Sequence, residues 1–107
     1  MEKRKPTYDL EAFKEAFSTP ESLNLTFTAA NDAANIGFGK PEIFAVLQTM
    51  QTAHFYKSMT AHVDYRVWQD VYHVPSAIGI IYIKFTADTV TLFKLLSFKE
   101  RNNGREN

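Results

Sequence analysis

Cysteine is absent from the sequence, and its absence excludes disulfide bonds, thiolate metal ligands and a cysteine nucleophile. There is no run of roughly 18 apolar residues, so we expect no membrane-spanning helix. The first ten residues, MEKRKPTYDL, are basic but lack the apolar segment of a secretory signal, which makes the cytoplasm the expected location. No pair of carboxylates stands at metal-binding spacing, and we expect neither a metal nor another cofactor.

An excess of charge is also absent, since 12 Lys and Arg balance 12 Asp and Glu. This balance argues against a general nucleic-acid coat protein, whose affinity comes from many phosphate contacts, but it allows an enzyme that binds a few phosphates in one cleft. The 107 residues have room for one core, and a hydrophobic content of 45% supports that core. We predict one domain over residues 1–107, with a flexible polar tail at 101–107.

In the first half of the chain, apolar residues recur at helical spacing. This pattern predicts a helix over residues 9–18 and another over residues 40–50. Between them we predict a short, half-buried strand at 23–27, followed by a helix that Thr28 caps and Gly37 ends.

After Gln51 the apolar period falls to two, and β-branched and aromatic residues become frequent, as is typical of strands. Short connections at 62–64, 74–76 and 88–89 separate four such segments, HFYKSMT, YRVWQDVYH, AIGIIYIKFTA and TVTLFKLLSFK. A helical half followed by hairpins predicts an α+β fold, with N-terminal helices packed on one face of an antiparallel sheet.

The register of these hairpins determines which side chains meet across the sheet. A first turn centred on Val63 pairs Lys57 with Gln69, and a second turn at the Pro75–Ser76 bond pairs Gln69 with Tyr82. Lys57, Gln69 and Tyr82 would then lie in one line across three strands, on one face. We expect the opposite face to form the core under the helices, with the side chains of Tyr56, Trp68, Tyr72, Ile81 and Ile83.

A cation, an amide and a phenol in one line suit a site for a phosphodiester, although each residue alone is more often an ordinary surface or packing residue. RNA cleavage without a metal needs a base for the 2′-OH proton, a charge that stabilises the phosphorane and an acid for the 5′-oxygen. Lys57 can bind the phosphate, Gln69 can bond to RNA oxygens or a base edge, and Tyr82 can donate a proton. Lys57 could also be the base, but only if burial or Lys84 lowers its pKa.

Three more residues, Lys84, Arg66 and His73, are candidate RNA contacts. Lys84 follows Tyr82 on the predicted site face, and His73 would reach RNA from the rim. The three histidines of the chain lie far apart in the predicted sheet, so we do not expect a two-histidine mechanism. Asp70 has the opposite parity to Gln69, and we expect it to form a salt bridge with Arg66 or Lys84.

Six segments together resemble the MqsR family, the motility quorum-sensing regulators among bacterial type II toxins: MEKRKP, DLEAFKEAF, FYKSMT, WQDVYH, IYIKFT and LLSFKE. The resemblance covers almost the whole chain and implies a RelE-like ribonuclease fold. It also implies an endoribonuclease that cuts mRNA at GC-containing triplets such as GCU. The implied partner is an MqsA-like antitoxin, a zinc-binding protein with a helix-turn-helix domain, through which the toxin would reach operator DNA only indirectly.

Carried over residue by residue, the family's active site corresponds to Lys57, Gln69, Tyr82 and Lys99 in this sequence. Two departures from the family's pattern are visible. His73-Val74-Pro75 stands where an Arg directly before a Pro is expected, and the last hairpin is about two residues longer than expected.

Three functions remain open on this sequence. The first is a metal-independent mRNA endonuclease toxin that cuts free RNA. The second is a RelE-like toxin that cuts mRNA only in the ribosome, which could then supply the missing base. The third is a non-catalytic module that binds an antitoxin and serves as a corepressor.

Overall fold

The computed structural model describes residues 1–88 and 92–101, in which three α-helices lie against one sheet of five strands. The helices are α1 (Leu10–Ala16), α2 (Phe27–Asn35) and α3 (Lys40–Gln48). The strands are antiparallel and follow one another across the sheet in chain order: β1 (Glu2–Lys3), β2 (Phe55–Thr60), β3 (Trp68–Ser76), β4 (Gly79–Ala87) and β5 (Phe93–Glu100). The predicted α+β class, with helices on an antiparallel sheet, is confirmed.

The helices cover one face of the sheet, and a cluster of buried apolar side chains fills the space between the two layers. Phe13 of α1 stacks on Phe85 of β4 with ring centroids 3.8 Å apart. Tyr72, Ile81 and Ile83 are fully buried on this inner face, as predicted. In the described part of the chain, no helix is long and apolar enough to cross a membrane.

The start of α2 differs from the prediction. No strand runs through 23–27 in the described structure, because Leu25 forms only an isolated bridge with Leu95 and Phe27 already begins the helix. The N-cap is Thr26 and not Thr28, since the Thr26 hydroxyl accepts a hydrogen bond from the Ala29 N–H at 3.0 Å. The backbone N–H of Thr26 also donates to the Leu95 carbonyl at 3.1 Å, so β5 fixes where the helix begins.

The first predicted hairpin register is wrong by two residues. Lys57 faces Val71, and Gln69 faces Met59. The turn is centred on Asp64, whose carboxylate accepts a hydrogen bond from the Arg66 N–H and whose carbonyl accepts one from the Val67 N–H. These bonds place the centre one residue beyond Val63, which displaces the pairing by two.

The second predicted hairpin register is wrong by four residues, because β3 continues through Pro75 and turns only after Ser76. Ser76 pairs with Gly79, which leaves a two-residue loop. Gly79 has a φ of 127°, and the Ser76 hydroxyl donates to its carbonyl at 2.8 Å. As a result Tyr82 faces His73 instead of Gln69.

Tyr56 lies on a different face from the one predicted. The pairing of β2 with β3 shifts between Phe55 and Lys57, and this bulge turns Tyr56 out of the core. Its ring stacks on that of His73, with centroids 4.3 Å apart. Trp68 is half-buried at the start of β3, where the Lys3 ammonium lies 4.2 Å from its ring centroid.

The N-terminal segment is bound to the sheet, a feature that the sequence pattern did not predict. β1 pairs with β2, so that Glu2 faces Met59. Asp70 is fully buried and accepts hydrogen bonds from the backbone N–H groups of Thr7 and Tyr8. The salt bridge predicted for Asp70 is therefore wrong, because its carboxylate binds this segment on the face opposite Lys84.

Parts of three predictions lie outside the described residues. These parts are Thr89 of the last predicted turn, the start of the last predicted strand (89–91) and residues 102–107 of the predicted tail. Arg101, the first residue of that tail, donates its backbone N–H to the Ile80 carbonyl at 2.8 Å. That residues 1–107 form one domain stays a prediction.

Candidate functional site

The outer face of the sheet, which points away from the helices, carries all four residues that the resemblance assigns to an active site. Side chains that face each other across the strands form three rows on it. The first row is Met59 and Gln69. The lysine row is Lys57, Val71, Lys84 and Ser97. The tyrosine row is His73, Tyr82 and Lys99. Adjacent rows lie roughly 7 Å apart, since two residues along a strand separate them.

Lys57 lies in the lysine row on β2 and binds Glu2 of β1. Its Nζ is 2.7 Å from Glu2 Oε2, and its side chain is 19% exposed. The hydrogen bond that Lys57 donates to Glu2 is the main cause that raises the pKa of Lys57, and nearby Tyr82 adds to it. The same bond lowers the pKa of Glu2. Lys57 is therefore a fixed positive charge at neutral pH, and it lacks the lowered pKa that a general base would need.

Lys84 occupies the centre of the outer face on β4. Burial and, to a lesser extent, the charge of Lys99 lower its pKa. Its neighbour in the row, Val71, is fully buried although it lies on the outer face. Lys84 and Gln69 also line a surface cavity of about 360 Å³ between β1, the β2–β3 turn and the start of β3.

Tyr82 lies between His73 and Lys99 in the tyrosine row. Its ring centroid is 5.9 Å from that of His73 and 5.4 Å from Lys99 Nζ. His73 is held between the rings of Tyr56 and Tyr82, and Arg101 Nη1 approaches its Nδ1 at 3.4 Å. His73 thus lies on the middle strand of the sheet, in the row at one end of the face.

The structure brings together six of the seven predicted site residues, namely Lys57, Gln69, His73, Tyr82, Lys84 and Lys99. The seventh, Arg66, lies outside the three rows, in the turn before β3, where its Nε is 3.0 Å from Asp64 Oδ1. The predicted single line is wrong, because Gln69 lies one row from Lys57 and two rows from Tyr82.

Three residues of the face were missed by sequence reasoning: Glu2, Tyr56 and Arg101. β1 has two residues, which is too short to show strand periodicity, and the basic N-terminus looked like a solvated arm. The β-bulge that turns Tyr56 outward leaves no mark in the alternation of the sequence. The residues MEKRKP in the resemblance were the one available signal for Glu2.

Comparison with known proteins gives two findings. Residues 5–100 match the family described as motility quorum-sensing regulator, toxin of MqsA. The chain is also 33% identical over 101 residues to the mRNA interferase toxin MqsR of Escherichia coli (strain K12), which covers 94% of this chain and 100% of that protein. The chain belongs to the MqsR toxin family. Its helices and antiparallel sheet are consistent with the RelE-like fold that we expected of an MqsR toxin.

This MqsR family member has a neutral sequence but a cationic outer face. Lys57, Lys84 and Lys99 project from β2, β4 and β5, and Arg101 extends the tyrosine row. Such a concentration of cations beside two phenols is suited to one or two phosphates of a bound strand. In the described ranges, 1–88 and 92–101, no three His, Cys, Asp or Glu side chains are grouped so as to hold a metal ion.

Proposed function

We propose that this chain is an mRNA interferase toxin, a metal-independent endoribonuclease that cleaves mRNA. The observation that carries the proposal is the outer face, where the four residues assigned by the family resemblance, Lys57, Gln69, Tyr82 and Lys99, project from β2, β3, β4 and β5. The full-length similarity to a protein named mRNA interferase toxin supports the same activity. The expected place of action is the cytoplasm, where mRNA is translated.

In the proposed reaction the RNA supplies its own nucleophile, the 2′-OH next to the scissile phosphate. Lys57 and Lys99 bind that phosphate and stabilise the extra negative charge of the phosphorane. The Tyr82 phenol donates a proton to the leaving 5′-oxygen. The products are a 2′,3′-cyclic phosphate, which can open to a 3′-phosphate, and a 5′-OH end.

The other outer-face residues would hold the RNA on either side of that phosphate. Gln69 lies two rows from Tyr82, so its amide is placed for a ribose or a base edge of a flanking nucleotide. His73 and Lys84 would contact the RNA between Gln69 and Tyr82, and Arg66 would contact RNA beyond the β2–β3 turn. We propose GC-containing triplets such as GCU as the preferred sites, and His73-Val74-Pro75, which departs from the family's Arg directly before a Pro, as the segment that would alter this preference.

The proposed partner is an MqsA-like antitoxin, a zinc-binding protein with a helix-turn-helix domain. The family description names the toxin as that of MqsA, which supports this partner. The chain would then reach operator DNA only through the antitoxin.

The test is cleavage of an RNA that contains GCU, in EDTA, by the wild type and by Lys57→Ala and Tyr82→Phe. We expect cleavage next to the triplet with a 5′-OH end, and a loss of at least about 100-fold in each variant. Lys40→Ala and Tyr65→Phe are matched controls at exposed positions outside the three rows, and they should cleave like the wild type. Folded variants that keep full activity would contradict the proposed site.

The same proteins in a translation extract separate the two alternatives. Cleavage there, without cleavage of free RNA, would show a ribosome-dependent toxin. An inactive wild type in both assays that still binds antitoxin would show a corepressor module.

A further inference from the structure

The proposed reaction lacks one component, the base that takes the 2′-OH proton. Lys57 is unsuited to this role, because its ion pair with Glu2 raises its pKa. Tyr82 serves as the acid and must begin the reaction protonated. The base must also lie on the side of the phosphate opposite Tyr82, because the attacking and leaving oxygens of a phosphoryl transfer are in line.

Glu2 satisfies this geometric requirement. It belongs to β1, on one side of Lys57, whereas Tyr82 belongs to β4, on the other side. Its Oε2 lies 2.7 Å from Lys57 Nζ, and 53% of its side chain remains exposed. Asp70, by contrast, is fully buried on the inner face. Glu2 also lines the surface cavity that contains Gln69 and Lys84, so a ribose in that cavity would meet its carboxylate.

We infer that Glu2 is the general base of the cleavage reaction, positioned by its ion pair with Lys57. This inference rests on the proposed function. The ammonium of Lys57 has three N–H donors, of which Glu2 uses one and two remain for a phosphate. Two acceptors on one tetrahedral ammonium lie about 4.5 Å apart. A 2′-OH attached beside the bound phosphate fits between them, within hydrogen-bond reach of the carboxylate.

The proton balance of the step is then complete. The Glu2 carboxylate takes the 2′-OH proton as the 2′-oxygen forms its bond to phosphorus. The bond from phosphorus to the 5′-oxygen breaks, and that oxygen takes the proton of the Tyr82 phenol. Lys57 keeps its protons throughout. Solvent returns a proton to Tyr82 and removes one from Glu2, so the enzyme ends the cycle unchanged.

The charges around Glu2 keep it ionised at neutral pH. The hydrogen bond from Lys57 on β2 has the largest effect on the pKa of Glu2, which it lowers. The charges of Arg4 and the Met1 amino group lower this pKa further. Lys84 and His62 line the cavity beside it. We therefore expect a cleavage rate that does not rise between about pH 6 and pH 8. Lys84 is the competing base because its pKa is lowered, and it would give a rate that rises with pH toward alkaline values.

The experiment measures single-turnover cleavage of a short RNA that the wild type cuts. The variants are Glu2→Gln, Glu2→Asp and the matched control Glu11→Gln, at an exposed position of α1. We expect Glu2→Gln to lose at least about 100-fold in rate, Glu2→Asp to keep part of the activity, and the control to match the wild type. Binding of a 2′-deoxy analogue of the same RNA checks that β1 and the RNA site remain intact, and Glu2→Gln should bind it within about three-fold of the wild type.

A substrate with sulfur in place of the 5′-oxygen distinguishes a general base from a general acid, because its leaving group needs no acid. This substrate should restore cleavage by Tyr82→Phe and should not restore cleavage by Glu2→Gln. Restoration of both variants, or a Glu2→Gln variant as fast as the wild type, would overturn the assignment. A wild type that cuts no RNA in any assay would instead refute the proposed function itself.

Discussion

Replacement of Asp70 by alanine should destabilise the fold far more than replacement of an exposed aspartate. The Asp70 carboxylate is fully buried under the N-terminal segment. It accepts the backbone N–H of Thr7 at 3.1 Å and 3.0 Å on its two oxygens, and the backbone N–H of Tyr8 at 2.9 Å. Alanine removes the acceptor for both N–H groups and leaves them without that partner inside the protein.

The magnitude follows from these two donors. A hydrogen bond to a charged group contributes about 1.5–3 kcal/mol, so two of them correspond to about 3–6 kcal/mol. The segment before α1 is short and can partly detach, which lets water reach the two N–H groups. We therefore expect a loss of about 3 kcal/mol, a large share of the roughly 5–15 kcal/mol by which a domain is usually stable.

Urea unfolding, followed by tryptophan fluorescence and circular dichroism, measures the effect. Asp64→Ala is the matched control, because the Asp64 carboxylate lies in the solvent-accessible β2–β3 turn, where it pairs with the Arg66 side chain at 3.0 Å and also accepts the Arg66 backbone N–H. Water can replace both contacts at such a position, so the control should lose no more than about 1 kcal/mol. If the free energies of unfolding of the two variants differ by less than about 1 kcal/mol, then the buried hydrogen bonds to Asp70 do not stabilise the fold as argued.

Three further predictions concern the cap, the core and the alkaline limit of stability. Thr26→Ala should cost about 1–2 kcal/mol in urea unfolding and Thr28→Ala should be nearly neutral, since only the Thr26 hydroxyl caps α2; equal costs would contradict this cap. Phe13→Ala should cost about 3–5 kcal/mol, against less than about 0.5 kcal/mol for Phe27→Ala, whose side chain is 84% exposed, and a mild Phe13 effect would contradict the stacking with Phe85. Burial raises the pKa of Tyr72 to about 12, above the value of about 10 in an unfolded chain, so the unfolded state loses this proton first. The free energy of unfolding should fall as pH rises from about 10 to about 12, and the fall should be smaller in Tyr72→Phe.

The fold class was predictable because it depends on local periodicity along the chain. The change of period after Gln51 separates helices from strands, and the confirmed helices begin at the caps or first turns that local chemistry favours. The boundary at Thr26 was not predictable in this way. Two threonines, Thr26 and Thr28, are equally good caps, and the choice depends on hydrogen bonds from Thr26 to Leu95 and Leu96, about seventy residues away.

The N-terminal part of the site was not predictable for the same reason. β1 has only two residues and is held by pairing with β2 and by the ion pair of Glu2 with Lys57. These contacts span more than fifty residues of sequence, and no local pattern encodes them. The resemblance to the MqsR family included this segment but assigned no role to Glu2. Only the folded arrangement shows that a carboxylate lies beside the proposed phosphate-binding lysine.

The face of the candidate site was predictable although its register was not, and the reason is parity. The predicted pairings are displaced by two residues in the first hairpin and by four in the second. Side chains alternate between faces, so an even displacement keeps each residue on its face, whereas an odd one would exchange the faces. The buried alternation of Tyr72 with Val74, and of Ile81 with Ile83, fixes this parity.

The turns then decide the row in which each outer side chain lies. The Asx turn at Asp64 and the glycine at Gly79 moved the pairing, so that His73 and not Gln69 faces Tyr82. The consequence is chemical. Gln69 is separated from Tyr82 by two rows, roughly 13 Å along the strands, which places Gln69 closer to a neighbouring nucleotide than to the 5′-oxygen that Tyr82 would protonate. A contact of Gln69 with a neighbouring nucleotide predicts that Gln69→Ala changes the choice of cleavage site more than the rate at the best site. An equal loss of rate at every site would place Gln69 at the reacting phosphate instead.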